Sequence, residues 1–193
     1  MLPQEVLDAL DAWMRDAETT EPRVPDAMQL ATADASGRPS LRTVLLKSWD
    51  AQGLVFFTNY TSRKASQLDA NPRAAVLLHW KGDARQFIAE GRVERLSAED
   101  SDAYHDSRAR GSQLGAWASD QSSVLPGRAT LEARLNEVEA RFDGQPVPRP
   151  PHWGGYRIVP DRVELWQDQP DRLHVRRLFT EVDGAWTEQL LFP

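Results

Sequence analysis

The sequence contains no cysteine among its 193 residues. This absence excludes disulfides, thiolate metal sites and cysteine nucleophiles, and it agrees with the cytoplasmic location that we expect for the protein. No apolar run approaches the roughly 20 residues of a membrane-spanning helix, and the N-terminus has no apolar signal core. We therefore predict no membrane partner.

The sequence also contains fewer positively charged than negatively charged residues. The formal net charge is −6 at pH 7, whereas a protein that binds phosphate backbones is usually basic. We therefore expect no nucleic-acid partner, and the local clusters of arginine need another explanation.

Several catalytic and binding motifs are missing. No Gly-x-Gly-x-x-Gly follows a predicted strand and no Gly-x-x-x-x-Gly-Lys-Ser/Thr occurs, which argues against a dinucleotide-binding doubly wound fold and a P-loop. The four histidines lack metal-ligand spacing, and there is no Gly-x-Ser-x-Gly elbow. We predict no metal site, and we expect an enzyme of this kind to depend on a cofactor.

The residues that are present describe a globular chain, with 40% hydrophobic and 27% charged residues. Apolar side chains at helical spacing predict helices over 3–17 and 126–142, while short strand-like runs separated by turns begin at Met28. Many strands with few helices predict an α+β fold with a mostly antiparallel sheet or barrel. We expect one domain over 1–193, with an N-terminal helix within 1–20 and a peripheral helix over 126–142.

The segment RTVLLK (42–47) predicts a strand with a cation near each end. Because side chains alternate along a regular strand, Arg42 and Lys47 would face opposite sides of it. Both can line one site only if that site wraps a strand end, includes a bulge or lies at a subunit boundary. The alternative is an ordinary apolar strand whose ends reach solvent.

The segment FFTNYTSRK (56–64) runs from a predicted strand through a turn into the start of a helix. Free N–H groups at that helix start, the hydroxyls of Thr58 and Ser62 and the cations Arg63 and Lys64 would suit a phosphate. An ordinary capped helix with exposed basic residues is the alternative.

The segment YHDSRARGS (104–112) offers a second set of phosphate ligands. Tyr104 and Arg108 are four residues apart and would share a helix face, and Ser112 would follow if the helix continued past Gly111. A solvated helix end is the alternative. The nearby SDQSS (119–123) offers neutral hydrogen-bonding groups on a predicted loop.

The segment RLHVRR (172–177) concentrates three arginines and a histidine. In a strand, Arg172, His174 and Arg176 would point one way, and Leu173 and Val175 the other. We therefore predict a polar wall with an apolar back. Arg177 would lie on the back face and outside the site.

Taken together and in order, these segments resemble the pyridoxine (pyridoxamine) 5′-phosphate oxidase family over about residues 28–193. The matching stretches are RTVLLK, VFFTNYTSRK, ARQ, SRARGSQLGAWASDQSS, WGGYRI, VELWQ and RLH. The resemblance implies a split β-barrel homodimer with FMN bound non-covalently at the subunit interface. It also implies oxidation of phosphorylated B6 vitamers, pyridoxine or pyridoxamine 5′-phosphate, to pyridoxal 5′-phosphate, with O2 as acceptor and H2O2 as product.

The resemblance also assigns roles to individual residues. It implies a substrate-phosphate site and a catalytic pair beside the pyridine ring, Arg172 and His174, which we expect to position and polarise the substrate because an arginine stays protonated. The phosphate would meet Lys47, Tyr104, Arg108 and Ser112. The implied FMN contacts are Arg42, Thr43, Val44, Leu45, Leu46, Lys47, Phe57, Thr58, Arg63, Lys64, Gln86, Gln121, Ser122, Trp166 and Arg176.

Three features depart from the family pattern. Phe57 stands where a tyrosine is frequent, and Val175 stands where aspartate is common. Family members usually carry a further N-terminal segment that helps to cover the substrate, and this sequence begins almost at its first predicted helix, so we expect that cover to be absent or trimmed. Two alternatives remain open: a related flavin oxidase acting on another ring, of the phenazine-pathway type, or a non-catalytic protein that binds flavin or pyridoxal phosphate.

Overall fold

The computed structural model describes residues 1–21 and 23–193 of the chain. Within these residues the chain forms five α-helices, nine strands and one 3-10 turn. In chain order they are α1 (Gln4–Thr20), β1 (Ala27–Ala33), β2 (Pro39–Leu45), β3 (Ser48–Asp50), β4 (Gly53–Asn59), α2 (Arg63–Ala70), β5 (Arg73–Trp80), β6 (Arg85–Arg95), α3 (Ala98–Asp106), α4 (Arg110–Ala118), α5 (Arg128–Arg141), β7 (Trp153–Gln167), the 3-10 turn (Pro170–Arg172), β8 (Val175–Val182) and β9 (Ala185–Leu190).

The strands form one sheet in the order β2-β1-β5-β6-β7-β4-β3, and β8 joins the far half of β7 and pairs with β9. Every pairing is antiparallel. The long strand β7 serves both parts of the sheet, because its first half pairs with β4 and its second half with β8.

The pairing of β6 with β7 contains a β-bulge. The register shifts between Glu90 and Gly91, opposite Pro160, and a proline cannot donate to the sheet ladder. A Cβ at Gly91 would lie 2.1 Å from the Val159 carbonyl oxygen, so this close approach requires glycine. The bulge lets one continuous sheet curl instead of extending flat.

Helix α1 covers the main core. Its apolar stripe places Val6, Leu10 and Ala17 fully inside the core, and Trp13 meets Trp80 edge to face with ring centroids 6.1 Å apart. No helix in residues 1–21 or 23–193 is both long and apolar enough to cross a membrane.

Helix α5 is attached more loosely. It buries no residue completely. Leu135 and Val138 are half-buried against a small cluster of Leu114, Phe142 and Val147, because this side of the chain lies away from the large core of the sheet.

Two strand predictions were wrong in their bounds. The strand expected through residue 47 ends at Leu45. The strand expected from residue 172 begins only at Val175, because Asp171 and Arg172 have φ values of 58° and 60°. That left-handed backbone is incompatible with an extended strand.

Candidate functional site

Two adjoining cavities lie between the sheet and the helices. The α2 cavity, of about 510 Å³, is bounded by β2, β4 and the start of α2. The α4 cavity, of about 640 Å³, is bounded by β4, α3, α4 and the start of β7. Phe57, Thr58 and Gln121 line both cavities, so two ligands bound there would lie side by side.

The α2 cavity contains Arg42, which is held by neutral oxygens. Its guanidinium donates to the Thr32 hydroxyl at 2.6 Å and to the Leu30 carbonyl at 3.1 Å, and it also donates to the Ser40 hydroxyl. Burial, and then the charge of Arg63, lowers the pKa of Arg42. The side chain is therefore fixed in direction without its charge being neutralised.

Gln67 connects this arrangement to α2. Its buried side-chain carbonyl accepts from the Thr32 and Ser40 hydroxyls at 2.6 Å each and from Arg42 at 3.2 Å. The sequence interpretation did not include Gln67. A signal was available, because residues three and four before it on the helix are Lys64 and Arg63, which places all three on neighbouring positions of α2.

Lys64 is the most buried cation of the α2 cavity, with 6% of its surface exposed. Its Nζ donates to Thr58 Oγ1 at 3.0 Å, to Gln121 Oε1 at 2.9 Å and to Ser62 Oγ at 3.3 Å. Ser62 precedes the helix as expected, but its hydroxyl makes no capping bond. Burial, with the charge of Arg42 as the second cause, lowers the pKa of Lys64 to about 8.

None of the carboxylates in residues 1–21 and 23–193 forms an ion pair with Arg42, Arg63 or Lys64. Elsewhere in the sheet the arginines are paired, as Arg157 is with Asp50 at 2.5 Å. A buried charge without a counter-charge is unfavourable. The α2 cavity is therefore suited to an anionic group with several oxygen acceptors, such as a phosphate.

The α4 cavity has an aromatic wall. Phe57 stacks on Tyr104 with ring centroids 3.8 Å apart, and Trp153 lies parallel to Phe57 at 5.5 Å. The Arg108 guanidinium carbon lies 4.5 Å from the centroid of the Trp153 ring, an arrangement that a cation–π interaction favours. Trp153 belongs to a motif quoted in the sequence analysis, but it was given no role there. Only the tertiary structure, in which Trp153 contacts α3, shows that this residue faces the cavity.

Arg108 is the uncompensated cation of the α4 cavity. Its Nη1 is buried without a hydrogen-bond partner in the described residues, and burial lowers its pKa. Lys47 lines the same cavity, but its Nζ is paired with Asp26 at 2.6 Å. This cavity can also receive an anion, with Arg108 as the cation most in need of one.

The predicted helix face of Tyr104, Arg108 and Ser112 is wrong in its local structure. Helix α3 ends at Asp106 and α4 begins at Arg110, so Arg108 lies in the connection. The three side chains nevertheless line one cavity. The turn between the helices brings them together, where a continuous helix had been expected.

The parity constraint on residues 42–47 is resolved by the end of β2. The Leu46 N–H donates to the Asp26 carbonyl and the Lys47 N–H to the Val55 carbonyl, so the chain passes from one strand to the next at this point. Arg42, Thr43 and Val44 line the α2 cavity, and Leu45 and Lys47 line the α4 cavity. The side chain of Leu46 is buried in the core and lines neither.

The other residues expected at the site fall into two groups. Arg63, Lys64, Gln121 and Ser122 line the α2 cavity together with Thr58. Gln86, Trp166 and Arg176 line neither cavity; they are direct neighbours across β6, β7 and β8. Trp166 follows Trp153 by thirteen residues on β7, roughly 40 Å of extended chain.

The segment between β7 and β8 lies beside this second group and contains Arg172 and His174. His174 packs on Trp166 with ring centroids 4.6 Å apart, and Arg176 makes two hydrogen bonds to Glu164, at 2.7 and 3.1 Å. Arg172 is exposed and lies in the 3-10 turn before β8. The polar wall along one strand face was therefore wrong for Arg172.

The expected apolar back of this segment is also absent from the described chain. Leu173 is 68% exposed and Val175 is 43% exposed, so neither packs into the core of its own subunit. Arg177 forms ion pairs with Glu188 and Glu5, which occupies its guanidinium away from both cavities.

Comparison with known proteins gives the same fold and a specific family. A solved structure of PhzG from Burkholderia lata, in complex with tetrahydrophenazine-1-carboxylic acid, matches with a TM-score of 0.91 and 32% identity over 100% of this chain and 98% of that chain. An FMN-binding protein from Nostoc punctiforme, related to pyridoxamine 5′-phosphate oxidase, matches with a TM-score of 0.75 and 19% identity over 95% and 96% of the two chains. The curled sheet thus has the FMN-binding split-barrel fold that the sequence predicted.

The sequence matches are closer still. Residues 14–142 match the family described as pyridoxamine 5′-phosphate oxidase, and residues 153–193 match the pyridoxine 5′-phosphate oxidase C-terminal dimerisation region. Proteins named pyridoxine/pyridoxamine 5′-phosphate oxidase are 50% identical over 192 residues in Sphingopyxis alaskensis (100% of this chain, 89% of that protein) and 49% identical over 193 residues in Myxococcus xanthus (100% and 94%). The chain belongs to the pyridoxamine 5′-phosphate oxidase family.

Proposed function

We propose that the protein is an FMN-dependent oxidase that converts pyridoxamine or pyridoxine 5′-phosphate to pyridoxal 5′-phosphate, with O2 as acceptor and H2O2 as product. The observation that carries this proposal is the pair of adjoining cavities. Lys47 is paired with Asp26, but the other cations that line the cavities have no carboxylate partner in the described parts of the chain. Two phosphate-bearing molecules, a cofactor and a substrate, match that pair.

The α2 cavity is suited to the FMN phosphate. Arg63 and Lys64 lie at the start of α2, where free N–H groups also favour an anion. Lys64 is already desolvated and hydrogen-bonded to Thr58 and Gln121, and Arg42 is fixed by neutral oxygens. Because Arg42 and Lys64 are held in place before binding, these two side chains need little further ordering when the ligand arrives.

The α4 cavity is suited to the substrate phosphate. Arg108, Tyr104, Ser112 and Lys47 line it, and the rings of Phe57 and Trp153 restrict how a flat ligand can enter. A phosphate held here anchors the substrate through a group distant from its reacting carbon. Such anchoring lowers the entropic cost of bringing that carbon against the cofactor.

The catalytic group needs a second chain under this proposal. Gln86, Trp166 and Arg176, with Arg172 and His174 at the adjoining turn, line neither cavity of their own chain. They lie in or beside the region that matches the dimerisation family, which also carries the exposed apolar side chains of Leu173, Val175 and Phe192. We propose a homodimer in which this group completes the partner's FMN and substrate sites.

FMN, when bound, supplies the chemistry by accepting a hydride equivalent from the carbon that bears the amine or alcohol and by passing the electrons to O2. The task of the protein is to orient the substrate and exclude water. The Arg172 guanidinium can polarise the substrate, while His174 is the residue able to accept or donate a hydrogen bond at the reacting substituent.

The decisive experiment is an assay of the purified protein. The holoprotein is expected to show flavin absorbance and, with pyridoxamine 5′-phosphate under air, to produce pyridoxal 5′-phosphate and peroxide in equal amounts. If FMN-loaded protein formed neither product, the proposal would be rejected, and binding without turnover would favour a non-catalytic flavin- or pyridoxal-phosphate-binding protein.

A second candidate deserves the same assay because the PhzG structure covers the whole chain at 32% identity. In this candidate the protein is a flavin oxidase acting on a reduced phenazine carboxylic acid. Tetrahydrophenazine-1-carboxylic acid would then be oxidised faster than the phosphorylated B6 vitamers. The reverse order is expected, because the α4 cavity offers a cationic and hydroxyl-bearing set suited to a phosphate.

A further inference from the structure

His174 has a carboxylate partner that neither the motifs nor the resemblance had indicated. Its Nδ1 lies 2.9 Å from Oδ1 of Asp168, the residue that follows the end of β7. The His174 side chain is 20% exposed and that of Asp168 is 51% exposed. The β7–β8 pairing ends at the pair Gln167 and Val175. Asp168 and His174 face each other immediately beyond that pair.

The backbone holds both partners in position. The Asp168 N–H donates to the Ala84 carbonyl at 2.9 Å, which ties it to the start of β6. On the other side, the Leu173 N–H closes the turn onto the Pro170 carbonyl at 3.1 Å. The His174 ring rests on Trp166, so its rotation is limited on one face.

The contacts of Nδ1 distinguish between the two neutral forms of the ring. A protonated Nδ1 can donate to Asp168, whereas a bare Nδ1 would direct its lone pair at a carboxylate oxygen 2.9 Å away. The Gln169 N–H approaches the same nitrogen at 3.3 Å, and this bond needs the bare form. The carboxylate contact is shorter and charge-assisted, so it outweighs the longer amide contact.

We propose that Asp168 is a positioning residue that keeps the proton of His174 on Nδ1 and so leaves Nε2 as a hydrogen-bond acceptor. The contacts of the His174 ring nitrogens within residues 1–21 and 23–193 are both at Nδ1, and Nε2 has no hydrogen-bond partner there. This inference rests on the proposed function, in which His174 meets the reacting substituent of the substrate. An acceptor at Nε2 can take a hydrogen bond from the amine or alcohol that is oxidised, and the orienting carboxylate keeps it available.

The first test reads the tautomer directly. Histidine-¹⁵N-labelled protein is titrated from pH 6 to 9.5, and the ring nitrogen shifts of His174, assigned with the His174→Gln variant, are read in the neutral form. The Nδ1–H form is expected. In Asp168→Ala, only the Gln169 N–H remains for Nδ1, so the Nε2–H form should take over. Nε2–H in the parent protein, or Nδ1–H that persists in Asp168→Ala, would overturn the proposal.

The second test separates positioning from structure by kinetics. Asp168→Ala is expected to lower kcat on the order of tenfold, while the Kd for FMN stays within twofold of that of the parent. Asp168→Asn retains an acceptor oxygen and should recover most of the lost kcat. Asp171→Asn is the matched control, since it removes a carboxylate from the same turn and asparagine tolerates its left-handed backbone.

A tautomer that shifts in Asp168→Ala with no change in kcat would show that Asp168 has no part in positioning. Equal losses in Asp168→Ala and Asp171→Asn would point to the turn as a whole and would also contradict the proposal. If the parent protein oxidised no B6 substrate, the proposed function would fail, and the ring nitrogen shifts alone would decide whether Asp168 sets the tautomer.

Discussion

Both the α2 and the α4 cavity contain cationic side chains, although the chain as a whole is acidic. The contacts that hold these side chains in place differ between the two cavities. In the α2 cavity, Arg42 and Lys64 are fixed by hydroxyl, amide and carbonyl oxygens. In the α4 cavity, Arg108 is held mainly by the face of Trp153, and Lys47 has its own carboxylate. The first arrangement suits a ligand that stays bound, and the second suits one that exchanges at every turnover.

The largest expected effect concerns the α2 cavity. Lys64→Met should raise the Kd for FMN on the order of a hundredfold, because it removes the buried positive charge that is proposed to face the phosphate. The ligand-free protein should be at least as stable as the parent, since the substitution also removes a buried cation. Flavin fluorescence titration and thermal unfolding measure the two quantities.

Lys81→Met is the control for this substitution, because Lys81 is an exposed lysine in the turn before β6. A comparable loss of FMN affinity in this variant would mean that overall charge, and not the α2 cavity, governs binding. Unfolding of ligand-free Lys64→Met at lower temperature than the parent would contradict the uncompensated-charge argument.

The next largest expected effect concerns the α4 cavity. Arg108→Ala should raise the KM for pyridoxamine 5′-phosphate about 10- to 100-fold through loss of an ionic hydrogen bond, with little change in the Kd for FMN. Arg128→Ala, on the exposed face of α5, is the control. Equal losses of substrate and FMN binding would mean that the two phosphates have been assigned to the wrong cavities.

A pH dependence should also distinguish the cavities. Without a ligand, the pKa of Lys64 is lowered to about 8 by burial and by Arg42, and a bound phosphate would raise it again. Above the second ionisation of the FMN phosphate, at about pH 6, FMN affinity should therefore be nearly constant up to about pH 8 and should weaken above it, by up to about tenfold per pH unit. Lys64→Arg stays protonated and should flatten this profile; an unchanged profile would exclude Lys64 as the titrating group.

The smallest effect is expected at the start of β8, beside the proposed catalytic group. Val175→Asp should change kcat by less than twofold, because Asp168 already places a carboxylate beside His174. Steady-state assays of the two proteins measure this. A large gain in activity would mean that the missing aspartate at position 175 limits the enzyme.

The site could be predicted in part because some of its residues are neighbours in the sequence. Arg63 and Lys64 follow a strand and open a helix, and that order is visible in the sequence. The approach of Tyr104, Arg108 and Ser112 was anticipated for the wrong reason, since one helix was expected where two meet. Gln67 and Asp168 were missed because their partners are 35 and six residues away in sequence, and only the fold brings Gln67 to Thr32.

The sequence by itself determined the antiparallel α+β fold, the start of α2 and the family, because periodicity, turn chemistry and ordered motifs are properties of neighbouring residues. The tertiary structure alone decided which cations remain without a carboxylate, since ion pairs such as Arg157–Asp50 join residues more than a hundred positions apart. It also decided where β2 ends and that Asp168 meets His174. Side-chain contacts across strands depend on register, and register follows from the packing of the whole sheet.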